Sequence, residues 1–215
     1  MRIVVYCYVF QHALIVAGYI LLTQNKGNIH ISINRFHSPF FDLFFKKITY
    51  FGNGIFVVIV SGLLLFLTSL KNSLFIACSN ILAGLVSQLL KRLVFPAVLR
   101  PSAFFEGKYN LHIIEGVDLH SSFSFPSGHA ATAFSVFFGL AVLTKNKLLK
   151  FCCLILAMLV SFSRVYISQH FLIDIWAGSF IGIVTCFVFY FLIMQSGSTW
   201  LNKNLIKSRK YASEK

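Results

Sequence analysis

Acid is what this chain has least of. Six Asp and Glu stand against 19 Lys and Arg in 215 residues, and from Leu119 to Ser213 the sole acid is Asp174. Charged residues of both signs make up only 12%, against 57% hydrophobic, and the mean hydropathy is +0.78. Such a composition excludes a soluble globular domain. CxxC spacing is missing too. Cys7, Cys78, Cys152, Cys153 and Cys186 all fall inside apolar runs, which excludes a zinc site or disulfide framework and leaves them as packing residues. No repeat, low-complexity tract or linker is long enough for a second domain, so residues 1–215 read as one transmembrane domain. The few acids also argue against a metal. Glu106, Glu115 and Asp118 share one loop at irregular spacing, Asp42 stands alone in another, and His112 and His120 read as solvated loop residues. Neither a metal nor another cofactor is expected.

What is present is a series of apolar stretches, uncharged except for Asp174 in the last. A hydrocarbon core about 30 Å thick needs about 20 apolar residues per helix, and six stretches qualify: Ile3–Leu22, Ile48–Leu70, Asn72–Leu90, Ser127–Thr144, Phe151–Ser163 and Phe171–Met194. The fifth is short and spans by letting Lys150 snorkel while Arg164 sits in a wet cavity. The expected fold is therefore an all-α integral membrane bundle of about six helices. No small-residue cleavage site follows Leu22, so the first stretch reads as a helix rather than a cleaved signal peptide. Between the first two stretches, Asn34–Lys47 alternates phenylalanines with Asp42, Lys46 and Lys47, as a short interfacial helix or a plain connector would. With six spans, both termini share a side with Lys71 and Lys145–Lys150. That side becomes the basic, cytoplasmic one once Lys91, Arg92, Arg100 and Arg164 are set aside as held by chemistry. Residues 203–215 then form a basic cytoplasmic tail suited to anionic headgroups.

Three places on the opposite, extracytoplasmic side keep polar groups that apolar helices would not otherwise hold: Lys91-Arg92 with Arg100-Pro101, then Pro126-Ser127-Gly128-His129, then Ser163-Arg164 with His170 and Asp174. Ionisable groups at membrane depth cost roughly 2.5–3.5 kcal/mol each on insertion scales, so they call for partners and usually a task. A structural ion pair joining two helices is the bland alternative. Four residues advance a helix by about one turn, which puts Asp174 on the face of His170, placed to accept a hydrogen bond from its ring. Several cations beside a Gly-containing helix start suit a tetrahedral dianion, since arginine gives bidentate bonds, lysine a point charge, and the helix start free N–H groups. Phosphate is the economical ligand. His170 would attack phosphorus, and His129 would serve as general acid and then as base.

At these residues the chain resembles the type 2 phosphatidic acid phosphatase (PAP2) family, whose signatures are a lysine followed by Arg-Pro, then PSGH, then Ser-Arg, five residues, His, three residues, Asp. Pro126–His129 and Ser163–Asp174 match in full, within a signature region covering 91–174. The first signature departs: eight residues separate Lys91 from Arg100 where the family usually has six, and Leu93 occupies the expected lysine position. Lys91 is favoured over Arg92 for that role. The resemblance implies that Lys91, Arg100, Ser127, Gly128 and Arg164 hold phosphate, that His129 is the acid, and that His170 with Asp174 forms the nucleophile pair. It implies a metal-independent phosphatase acting on a lipid phosphate in a cytoplasmic membrane, with no nucleic-acid partner. Undecaprenyl pyrophosphate, lipid A phosphate, phosphatidylglycerophosphate and phosphatidic acid all remain open, with polyprenyl pyrophosphate or lipid A phosphate preferred. Transfer of the phosphoryl group to another lipid, and a non-catalytic carrier or scaffold, are the alternatives. A vanadium haloperoxidase shares this anion pocket but is expected in a soluble fold, and six spans disfavour it.

Overall fold

The computed structural model describes residues 18, 21 and 23–202. The expected first span lies outside the described residues but for Gly18 and Leu21, and the basic tail 203–215 lies wholly outside them. Among the described residues all regular structure is helical.

Side chains that satisfy free N–H groups open most of the helices. Asn25 caps α1 (Lys26–Asn34), and Ser38 caps α2 (Pro39–Ile48) with Pro39 in its first turn. Asp42 near the start of α2 and Lys46 and Lys47 near its end suit the helix dipole. Phe40 and Leu43 stay exposed while Phe45 and Ile48 are buried, the pattern of an interfacial helix. A 3₁₀ turn, Thr49–Gly52, leads into α3 (Gly54–Leu67) across a bend of 58°. The expected span Ile48–Leu70 is thus a bent entry followed by a shorter helix. The bend falls at Gly52-Asn53-Gly54, where Asn53 turns from the 3₁₀ segment to cap α3.

Ser69 caps α4 (Leu70–Leu89), which widens into a π turn at Leu90–Val94. After a five-residue helix, α5 (Pro101–Phe105), and a long loop come α6 (Gly128–Leu143), α7 (Lys147–Tyr166) and α8 (Leu172–Phe189, extended by a π turn to Met194). Leu70–Val94, Lys147–Tyr166 and Leu172–Met194 are long and apolar enough to cross a membrane, and the bent pair α2–α3 makes a fourth candidate. α6, with 16 residues, is shorter. It is the central helix, packed on α8, α7 and α4, with Ala130–Phe137 buried without a break. Close approach to α8 needs glycine: a Cβ on Gly178 or Gly182 would run into the backbone of α6. On the outside, Ile55, Val58 and Leu63 of α3 and Ile81, Leu85 and Leu89 of α4 are exposed, an apolar surface suited to lipid. This is an integral membrane protein.

Topology gathers chemistry at one end. The C-termini of α4 and α7 and the N-termini of α3, α6 and α8 meet there, while Lys71 and Lys145–Lys150 mark the other end.

Candidate active site

Lys91 sits in the π turn that ends α4, where Phe95 N–H donates to the Leu90 carbonyl at 2.9 Å, one residue farther back than in an α-helix. The wide turn aims Lys91 inward, 7% exposed, and leaves Arg92 exposed on the outside. The turn and the loop Phe95–Leu99 take up the long interval to Arg100, which is also buried. Arg100 donates through Nε to the Ser122 carbonyl at 3.0 Å and through Nη1 to the Gln169 side-chain oxygen at 2.8 Å. Arg164, in the last turn of α7, donates through Nη1 to Thr49 Oγ1 at 3.1 Å and through Nη2 to the same Gln169 oxygen at 3.4 Å. Its Nε is buried without a partner among the described residues.

Ser127 caps α6, accepting from Ala130 N–H, and its own N–H donates to the Asp174 carbonyl at 2.9 Å. Gly128 and His129 form the first turn, and Gly52 passes so near that its Cβ would stand 3.1 Å from the His129 carbonyl oxygen. The cations Arg164, Lys91 and Arg100 and the ring of His170 all act electrostatically on His129.

His170 is 2% exposed and precedes α8 instead of sharing a helix with Asp174. Its Nδ1 lies 3.4 Å from Asp174 Oδ2 without a hydrogen bond of normal geometry. The expected ring-to-carboxylate hydrogen bond is therefore a looser contact, because Oδ2 already accepts from Ser124 Oγ at 2.5 Å and from Phe171 N–H at 2.9 Å. Burial holds the His170 ring well below the usual histidine pKa, and the charges of Arg100, Arg164 and Lys91 push it the same way, against the Ser124 carbonyl. These effects favour the neutral ring, the form a nucleophile needs, over the imidazolium. Burial likewise lowers the pKa of Arg100, an effect that the charge of Asp174 opposes.

Sequence reasoning missed several neighbours. Ser168 and Gln169, in the turn between α7 and α8, are both buried, and Ser168 adopts a left-handed conformation (φ 56°) that turns the chain. Asp42 is not alone: it pairs with His112 at 2.9 Å and accepts from Tyr166 Oη at 2.7 Å, tying α2 to the end of α7. His112 stacks on His37, with ring centroids 3.9 Å apart. Seventy positions separate Asp42 from His112, so local spacing carried no signal of the pair.

His30 backs the site from α1, packed against Phe105 and Phe171 with Nε2 3.2 Å from Ser168 Oγ. Burial lowers its pKa to about 4, despite the pull of Asp174. A folded-state pKa below the unfolded value means that stability is complete above about pH 6.5 and falls as pH drops toward 4. The loss by pH 4.5 is at most about 2.5 kcal/mol from this residue. His30→Gln is expected to flatten that slope in thermal melts at pH 7 and pH 4.5, and a slope identical to the parent's would contradict the assignment.

The profile described as the PAP2 superfamily matches residues 72–197. The chain is 29% identical over 179 residues to a protein of Bacteroides thetaiotaomicron named lipid A 4'-phosphatase, covering 80% of this chain and 78% of that one. A Porphyromonas gingivalis protein of the same name is 26% identical over 189 residues, covering 84% and 78%. Among solved structures, Aquifex aeolicus LpxE superposes with a TM-score of 0.67 at 23% identity, over 75% of this chain and 92% of that one. A PAP2-type phosphatidylglycerolphosphate phosphatase from Bacillus subtilis gives 0.66 at 23% identity, over 87% and 97%. At that identity the structural likeness is one of fold.

Proposed function

Since the chain belongs to the PAP2 superfamily, we propose that it is a metal-independent lipid phosphatase whose pocket is formed by Lys91, Arg100, Ser127, Gly128 and Arg164 around His170. The observation that carries this reading is a charge imbalance. Lys91, Arg100 and Arg164 are buried, and among the described residues the one buried acid is Asp174. Two surplus positive charges in a desolvated place are costly unless an anion joins them. A phosphate dianion supplies the missing two charges and an acceptor for the orphan Arg164 Nε.

The chemistry follows from the arrangement. His170, with Nδ1 toward Asp174, attacks phosphorus through Nε2, and the P–O bond to the lipid breaks as the P–N bond forms. Once the dianion has cancelled the surplus charge, His129 holds the proton that the departing lipid oxygen takes. The neutral His129 then removes a proton from water, which attacks the phosphohistidine and releases phosphate and free His170. The cations and the α6 N-terminus stabilise the equatorial oxygens throughout.

The relatives named lipid A 4'-phosphatase favour a phosphate monoester on a lipid A-like glycolipid over undecaprenyl pyrophosphate, phosphatidylglycerophosphate or phosphatidic acid. Lys71 and Lys145–Lys150 at the opposite end favour a site on the extracytoplasmic side of a cytoplasmic membrane. Purified protein, offered these four lipids in detergent with a chelator present, is expected to release inorganic phosphate, fastest from lipid A. No release from any of them, loss of activity on chelation, or label moving to an acceptor lipid without free phosphate would each contradict the proposal.

Burial also separates the two basic residues of the π turn. Lys91→Met is expected to lower kcat/KM by roughly a hundredfold, as loss of a charged transition-state contact does. Arg92→Met is expected to stay within about threefold of the parent, because Arg92 is exposed. The reverse order would move the lysine role to Arg92.

A further inference from the structure

Gln169 occupies an unusual place in the site. It is 2% exposed, and every polar group of its side chain is engaged. Its amide nitrogen donates to the Asp118 carbonyl at 2.8 Å, which fixes the amide plane and ties it to the long loop. Its amide oxygen accepts from Arg100 Nη1 at 2.8 Å and from Arg164 Nη2 at 3.4 Å. Its backbone carbonyl accepts from Arg100 Nη1 as well, at 3.2 Å.

Two guanidinium groups meeting at one neutral oxygen is an arrangement that needs explaining, because like charges repel most strongly where water is excluded. What remains free shows the consequence. Arg100 has committed Nε to Ser122 and Nη1 to Gln169, leaving Nη2. Arg164 has committed one N–H of Nη1 to Thr49 and one of Nη2 to Gln169, leaving Nε buried and, among the described residues, unpartnered. We propose that Gln169 is a positioning residue: its amide oxygen clamps Arg100 and Arg164 together and directs their remaining N–H groups at the phosphoryl oxygens of the substrate. The inference rests on the reading of the site as a phosphate pocket.

Neutrality is essential to the device. An amide oxygen holds both cations without cancelling either, so the surplus of two positive charges survives for the dianion. A carboxylate in the same place would hold the arginines equally well but would remove one of those charges and face the phosphate with a like charge. An apolar side chain would leave the charges intact and the two groups unclamped. The two failures are therefore of different kinds.

Gln169→Glu and Gln169→Met, both close to glutamine in length, test this with whichever of the four lipids the parent protein hydrolyses fastest and with inorganic phosphate as competitive inhibitor. Gln169→Glu is expected to raise both KM and the Ki for phosphate at least tenfold. Gln169→Met is expected to lower kcat about tenfold or more while the Ki for phosphate stays within about threefold. KM and Ki do not depend on how much of the preparation is folded, so a purely structural role would leave both at the parent value in both variants and lower only the active fraction. That result would overturn the proposal. If Gln169→Met does not fold, Gln169→Glu decides alone: a parental Ki in that variant rejects the clamp. A parent protein that releases phosphate from none of the four lipids would instead reject the phosphatase reading itself.

Discussion

His170→Ala is expected to lower phosphate release by at least about 10⁴-fold, the scale seen when a covalent nucleophile is removed. That corresponds to roughly 5.5 kcal/mol of lost transition-state stabilisation. The ring is buried beside Asp174 and three cations, so no water can take its place with comparable orientation. Removing His129 should act differently. His129→Gln keeps the nucleophile but loses the acid, so slowing of roughly 10²–10⁴-fold is expected with a lipid leaving group. Less slowing is expected with an aryl phosphate, whose leaving group needs no proton. Steady-state assays on the two variants with both substrates check this. Parental activity in His170→Ala would place the nucleophile elsewhere.

Gly178→Ala is expected to cost about 3 kcal/mol of stability, although only one methyl group is added, since overpacking against an unyielding neighbour is destabilising on that scale. The new Cβ would collide with the Ser127 carbonyl oxygen and stand 3.0 Å from Ala130 Cβ and 3.2 Å from Ala131 N. Gly182→Ala meets the Ala131 carbonyl oxygen and stands 2.8 Å from Ser135 N. These obstacles are backbone atoms and an alanine Cβ, none of which can rotate aside. The helices must therefore part, and because the Ser127 N–H bonds to the Asp174 carbonyl, parting also separates PSGH from the His170 turn. Activity should fall with stability. Gly62→Ala in α3 and Gly84→Ala in α4 are the controls: among the described residues nothing lies within 4 Å of a Cβ at either, and each should be neutral or stabilising by less than about 1 kcal/mol. Melting temperatures of the four variants in one detergent decide the matter, and equal melting of Gly178→Ala and Gly84→Ala would contradict the packing argument.

Apolar runs made the long helices legible, because a stretch without charge has few other places to go. α4, α7 and α8 follow the runs around Asn72–Leu90, Phe151–Ser163 and Phe171–Met194, although α7 begins earlier, at Lys147, where Asn146 caps it. The bend before α3 carries a local signal, Gly52-Asn53-Gly54, which a span drawn only on the absence of charge from Ile48 to Leu70 passes over. Sequence order placed Lys91, Arg100, Ser127, Arg164 and His170 at one end of the bundle because each lies at a helix terminus, and alternating helices return their termini to the same end. How these residues are held was hidden. The π turn that separates Lys91 from Arg92 depends on a hydrogen bond shifted by one residue. The clamp at Gln169 depends on the left-handed turn at Ser168 and on a loop carbonyl 51 positions away. The spacing of Asp174 points to His170 alone, yet Asp174 also caps the start of α8 and accepts from Ser124. Such sharing is set by tertiary contacts, which periodicity does not encode.

The phosphoryl group is expected to pass through His170. A single-turnover reaction with labelled lipid phosphate, quenched in alkali and mapped by peptide, measures this. The expected result is a transient label on the peptide bearing His170, stable in alkali, lost in acid and absent from His170→Ala. Complete release of labelled phosphate with no residue ever labelled would contradict the account.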